Sequence, residues 1–142
     1  MTRIFLIGIL VLFLLMPQGD RGSHQIVASP IRLSAQTASI APTNIATNLP
    51  DGLYRVSYYA RTTAAAVAGT MTVTIGWNDG QARSNVSAAL SLTALSNAAI
   101  STPVELATMR IANASSVTYE TTVAGVVGSP QYELYITLER LQ

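Results

Sequence analysis

After about residue 30, apolar and polar positions alternate along most of the chain with a period of two. The clearest stretch is Gly69 to Gly80, which reads Gly-Thr-Met-Thr-Val-Thr-Ile-Gly-Trp-Asn-Asp-Gly. Met71, Val73, Ile75 and Trp77 fall on one face, and Thr70, Thr72, Thr74 and Gly76 on the other. That is the pattern of a half-buried strand, and β-branched residues on both faces reinforce it. Asn78-Asp79-Gly80 supplies turn chemistry at its end. The same alternation recurs in Leu53–Arg61, where Tyr54, Val56, Tyr58 and Ala60 face the core. It recurs again in Gln131–Leu141, where Tyr132, Leu134, Ile136 and Leu138 do so. A long terminal strand of this kind is expected in the middle of a sheet, because a free terminal edge is sticky.

Between these strands the signals are shorter. Pro30 to Pro50 predicts an edge strand at about Ser34–Ile40 and a short one at about Asn44–Thr47, with Pro42 as the break. Leu49-Pro50-Asp51-Gly52 is a turn. Thr62–Ala68 reads as a loop. Ala82–Ser101 suits a helix as well as a strand, and the strand is favoured because everything around it is β. Val104–Ile111 predicts a strand with an irregularity near Thr108. Asn113–Ser116 is a turn, Val117–Val123 alternates, and Gly125, Gly128 and Pro130 make a loop. About eight strands with no long helical pattern predict an all-β chain, an antiparallel β-sandwich with jelly-roll character over residues 30–142.

Residues 1–28 break the pattern. Thr2-Arg3 precedes an uninterrupted apolar run from Ile4 to Met16, followed by Pro17, Gly19, Asp20, Arg21 and Gly22. As a helix that run is about 20 Å long, short of the roughly 30 Å of a bilayer core. It reads as a secretory signal peptide, although it lacks a clean small-residue cleavage site. An uncleaved membrane anchor is the alternative, and a mis-assigned start is a third. Both of the first two place the domain outside the cytoplasm, and any membrane contact is expected only through residues 4–16.

Composition narrows the chemistry. Only 11% of the 142 residues are charged, against about 25% in an average protein. The basic residues are all Arg, and from Ser29 onward six of them meet six acids. A near-neutral domain does not steer toward phosphate, so nucleic acid is not an expected partner. Cysteine is absent, and the one histidine, His24, precedes the domain. A Ser-His-Asp or Cys-His device and a zinc site built on nitrogen or sulfur are therefore excluded from it. Neither a metal nor a cofactor is expected.

A carboxylate pair for glycoside cleavage would have to come from Asp51, Asp79, Glu105, Glu120, Glu133 or Glu139, all in turns or at outward positions. No enzyme is expected. Trp77, Asn78 and Asp79 form the loop that most resembles a site, a platform for stacking and hydrogen-bonding a sugar; the plain alternative is a core Trp followed by a turn. Tyr59, flanked on its face by Arg55 and Arg61, is a candidate interface anchor, since Tyr and Arg are enriched at interfaces.

Gln36–Ile40, Gly52–Tyr59, Thr72–Asp79 and the ending Tyr132–Leu141 resemble small β-domains found at the C-termini of tailed-phage virion proteins and in phage-like bacterial proteins. Some of these are similar to the jelly rolls of the tumour-necrosis-factor and C1q type. The resemblance covers about Ala35 to Leu141 and rests on strand patterns. It implies a capsid, fibre or tail accessory module that self-associates, with a trimer as one form. Its partner would be another virion or cell-surface protein, or a glycan, and its location the virion or the cell exterior. The apolar leader departs from this pattern and shifts weight toward an exported bacterial protein. A secreted carbohydrate-binding module using the loop after Trp77 is the second reading.

Overall fold

The computed structural model describes residues 25–93, 100–101 and 105–142. The expected leader helix over residues 4–16 therefore lies outside the described residues, and of the segment 1–28 only residues 25–28 are described. The described residues are all-β, in ten strands: β1 (Gln25–Ile26), β2 (Ile31–Gln36), β3 (Ile40–Leu49), β4 (Gly52–Ala64), β5 (Ala68–Asn78), β6 (Arg83–Ser91), β7 (Ile100–Ser101), β8 (Glu105–Ile111), β9 (Ser115–Val127) and β10 (Gln131–Arg140).

They form two antiparallel sheets. In the first, β10 and β4 lie side by side at the centre; β1 and β2 pair with successive lengths of β10, and β7 and β8 with successive lengths of β4. The second runs β3-β9-β5-β6. Gln25 and Ile26, expected in the leader and linker, belong to the first sheet: they pair with Arg140 and Glu139, and Val27 N donates to Leu138 O at 3.1 Å.

The inner faces share one core, the arrangement expected of a β-sandwich. Tyr54, Val56, Tyr58 and Ala60 of β4, Leu134, Ile136 and Leu138 of β10, and Met109 and Ile111 of β8 come from one side. Met71, Val73 and Ile75 of β5, Val117 and Tyr119 of β9, and Ile45 and Leu49 of β3 come from the other. The period-two pattern is thus an inside–outside pattern, as the pleat requires. β10 is central, as expected of the terminal strand.

Several boundaries differ from the sequence reading: β9 runs on to Val127, so Gly125, expected in a loop, lies inside it, and β8 pairs with β4 in unbroken register, without the irregularity expected near Thr108. The edge strand expected at Ser34–Ile40 is split: Ala35 takes φ +53°, the β2–β10 register shifts beside it, and residues 37–39 carry the chain to the other sheet. A polar chain closes this crossing. Ile40 N donates to Thr121 Oγ1 (2.9 Å), Thr121 and Tyr132 are joined through their hydroxyls (2.8 Å), and Tyr132 OH donates to Ala38 O (2.7 Å). The short strand expected at Asn44–Thr47 is the middle of the longer β3, an edge strand whose repeated register shifts accommodate Pro42. The loop expected at Thr62–Ala68 is mostly strand, because β4 runs on to Ala64 and β5 starts at Ala68.

Candidate functional site

The candidate residues fall on two faces that the fold holds apart. Tyr59, Arg55 and Arg61 point outward from β4 in the first sheet. Trp77, Asn78 and Asp79 lie at the end of β5 in the second.

On the first sheet, register builds a ladder across β4 and β10. Tyr59 stands opposite Tyr135, Arg61 opposite Glu133, and Arg55 opposite Glu139. The two tyrosine rings are 6.2 Å apart between centroids, tilted at 44°, within the range of favourable aromatic pairs. Arg61 Nε donates to Glu133 Oε2 at 2.8 Å, and Tyr135 OH donates to the same oxygen at 3.2 Å. The Arg61 hydrogen bond holds the Glu133 carboxyl below its usual range, and Glu133 in turn raises Arg61. Arg55 pairs with Glu139 through both Nε and Nη2. Tyr135 is 37% exposed, and Arg32 of β2 flanks it on the next strand. Tyr135 was not singled out from sequence as a site residue, and Glu133 and Glu139 were named only as members of a possible carboxylate pair. Their signal was the outward phase of the last strand, which becomes informative only once its partner strand is known.

On the second sheet, Trp77 is half-buried and packs against the core, continuing the Met71-Val73-Ile75 face. Asn78 Oδ1 accepts from Gly80 N at 2.8 Å; Asp79 Oδ1 accepts from Gln81 N at 2.9 Å and Ala82 N at 3.0 Å. These are Asx turns. The Ala82 and Gln81 N–H groups, in that order, hold the Asp79 carboxyl below its usual range. The turn thus occupies one side-chain oxygen of each residue.

Beside it lies a groove of about 340 Å³, lined by Gly76, Trp77, Asn78, Arg83, Ala114, Ser115, Ser116 and Thr118. A second hollow of about 290 Å³ adjoins it, lined by Pro42, Thr74, Gly76, Arg83, Asn85, Thr118 and Glu120. Gly76 creates the depth. The outward residues of β5 run Thr70, Thr72, Thr74 and then Gly76, and a Cβ at Gly76 would sit 3.0 Å from Thr118 Oγ1 and 3.5 Å from Arg83 Nη2. Arg83 therefore lies across the bare glycine backbone, between the two hollows. A third hollow, of about 500 Å³, sits at the far end of β9, between Thr37–Ser39 and Val123–Pro130. Sequence reading missed Gly76, Arg83 and Thr118. The one available signal was a glycine interrupting an outward threonine series.

The five acids with described side chains are scattered. Glu133 and Glu139 share the outer face of β10 but stand six residues apart, roughly 20 Å along a strand. Asp51 is held by Arg110 at 3.1 Å, Asp79 by its own turn, and Glu120 lies on the opposite sheet. Among the described residues no three acids or histidines gather as a metal site would require. Compared with known proteins, the chain matches no family model and no curated sequence.

Proposed function

We propose that the protein is a non-enzymatic structural or binding module of jelly-roll type, which assembles with copies of itself through the outer face of its first sheet. The strand orders support the jelly-roll reading: β2-β10-β4-β8 faces β3-β9-β5-β6, and the chain changes sheet at every connection between these strands except the β5–β6 hairpin. Two interleaved Greek keys have this order.

The single observation that carries self-association is the Tyr59–Tyr135 pair, open to solvent at the centre of a sheet and flanked by two Arg–Glu pairs. Aromatic and Arg side chains on a rigid face are what interface centres use. The two ion pairs neutralise four of the charges on this face and leave Arg32 as its one unpaired charge among the described residues. In this reading the protein is virion-like, a capsid, fibre or tail accessory, or an exported surface protein. It acts through protein–protein or glycan contacts, and a trimer is one form of the assembly.

Sedimentation of the full chain tests this. The expected result is an oligomer at micromolar concentration that Tyr135→Ala converts to a smaller species. A strict monomer, or an oligomer indifferent to both Tyr59→Ala and Tyr135→Ala, overturns it. The second reading, carbohydrate binding, is favoured by one observation, the polar groove beside Trp77.

A further inference from the structure

We propose that the groove across Gly76 is a glycan site, and that Arg83 in it recognises the carboxylate of an acidic sugar, a uronic or sialic acid. This places recognition on the outer face of β5, β6 and β9, not in the Asn78–Gly80 turn.

Two of the six arginines from Ser29 onward, Arg32 and Arg83, have side chains that donate to nothing among the described residues, and of the two it is Arg83 that lines the groove. Arg55, Arg61, Arg110 and Arg140 each donate to an acid or a backbone carbonyl. The Arg83 guanidinium donates to nothing among the described residues, and no ion pair joins it to Glu120 in the adjoining hollow. Yet its position is defined: Nε and Nη2 lie 3.6 and 3.5 Å from where a Gly76 Cβ would be. A planar, permanently charged fork lying over bare backbone is suited to take a planar anion in two parallel hydrogen bonds.

The surroundings choose among anions. Ser116 and Thr118 offer hydroxyls, and Asn78 has its amide nitrogen free among the described residues, because only its oxygen is used by the turn. Trp77 lines one end of the groove, while its side chain packs against the core. Hydroxyls and an amide beside a guanidinium match a polyhydroxylated ring that carries a carboxylate; the Thr118 hydroxyl, which donates to Gly76 O at 3.4 Å, remains an acceptor. Glu120, past Arg83, can accept from ring hydroxyls and repels a second negative charge. A monocarboxylated sugar fits this arrangement; a phosphate dianion or a nucleic-acid backbone does not. The volume, about 340 Å³, is at the small end of ligand sites, and the second hollow beyond Arg83 extends the groove to the next sugar of a chain.

Trp77 is the only tryptophan and lines one end of the groove, so its emission is one readout, and calorimetry is the decisive one because the ring also packs against the core. The full chain is titrated with methyl β-glucuronide, methyl α-sialoside, methyl β-glucoside and inorganic phosphate, by Trp emission and by calorimetry. One of the two acidic sugars is expected to change the emission and to bind at least about tenfold more tightly than the glucoside or phosphate, the scale of a charge-assisted hydrogen-bond pair. Arg83→Gln abolishes that preference with the melting temperature unchanged, since the side chain is exposed and unpaired. Arg83→Lys restores part of it.

The proposal rests on the carbohydrate-binding reading, and the calorimetry separates the two. Heat with an acidic sugar that Arg83→Gln leaves intact, or equal binding of the glucoside or phosphate, overturns the Arg83 site but not that reading. No binding of any of the sugars up to about 10 mM overturns both.

Discussion

At the scale of single residues, the polar groups the fold buries or bends matter more than the ones the sequence advertises. Tyr132 is 1% exposed and Thr121 2%, and burial raises the Tyr132 phenol above its ordinary range. Their hydroxyls relay a hydrogen bond from Ile40 N to Ala38 O, across the point where the chain changes sheet. Tyr132→Phe keeps the ring but leaves the Thr121 hydroxyl and the Ala38 carbonyl short of a partner. The expected loss is about 1–3 kcal/mol, read from urea unfolding; a loss below experimental error would show that water replaces the phenol.

Asp79 makes a second case. Its carboxyl is held below the usual range by turn N–H groups, so its contribution is present above the ordinary Asp range and is lost as pH falls through the lowered value. Asp79→Ala should lower the thermal midpoint at pH 7 and flatten its fall in acid. Asp79→Asn, which keeps an acceptor oxygen, should lower the midpoint less.

At the scale of strands, position in the sheet decides what a side chain is worth. Ile136 sits in β10, paired on both edges, and is 1% exposed; Val86 sits in the edge strand β6 and is 37% exposed. Ile136→Ala should cost about 2–5 kcal/mol and Val86→Ala within about 0.5 kcal/mol, both read from denaturant midpoints. The Arg61–Glu133–Tyr135 ladder lies on the outer face and is partly exposed, so its effect on stability is small, but its sign is definite. Because Arg61 lowers the Glu133 pKa, the ladder is intact above the ordinary Glu range and is lost as pH falls through the lowered value. Glu133→Gln should remove that acid-range dependence, and an unchanged pH profile would show that Glu133 does not contribute.

These central strands were also the legible ones. Tyr54-Val56-Tyr58-Ala60, Met71-Val73-Ile75 and Leu134-Ile136-Leu138 alternate because both their neighbours are fixed by the pleat. The edges were misread because their partners set the breaks: nothing in Ser34-Ala35-Gln36 shows that β10 imposes a bulge there, and nothing in Ile40–Leu49 shows how often β3 shifts against β9. The candidate sites divided the same way. Tyr59 and Arg61 were visible as one outward face and Glu133 and Tyr135 as another, but not the register that sets the two side by side. Trp77 was visible because it is unique, but the groove depends on the absence of a side chain at Gly76, and its facing residues come from strands far away in sequence.

At the scale of the whole molecule, the two outer faces differ in chemistry and point in opposite directions. The first sheet shows tyrosines and paired charges. The second shows small hydroxyl and amide side chains around Arg83 and Glu120. Packed sheets lie about 10 Å apart, and the layer between them here is a continuous apolar core, with the Tyr132–Thr121 relay near one end. Such a core transmits little of a surface change that leaves the backbone in place, and both Tyr135 and Arg83 are exposed side chains on regular strands. The two activities should therefore separate. Tyr135→Ala should reduce the sedimenting mass while leaving the Trp77 emission maximum and the acidic-sugar response intact. Arg83→Gln should remove that response while leaving the mass unchanged. Assembly through the first sheet leaves the second-sheet groove of each copy facing outward, and a sugar response lost in Tyr135→Ala would show that the two faces are coupled after all. A multivalent array of weak sites would come from the assembly itself, with effective concentration supplying the affinity that one shallow groove lacks.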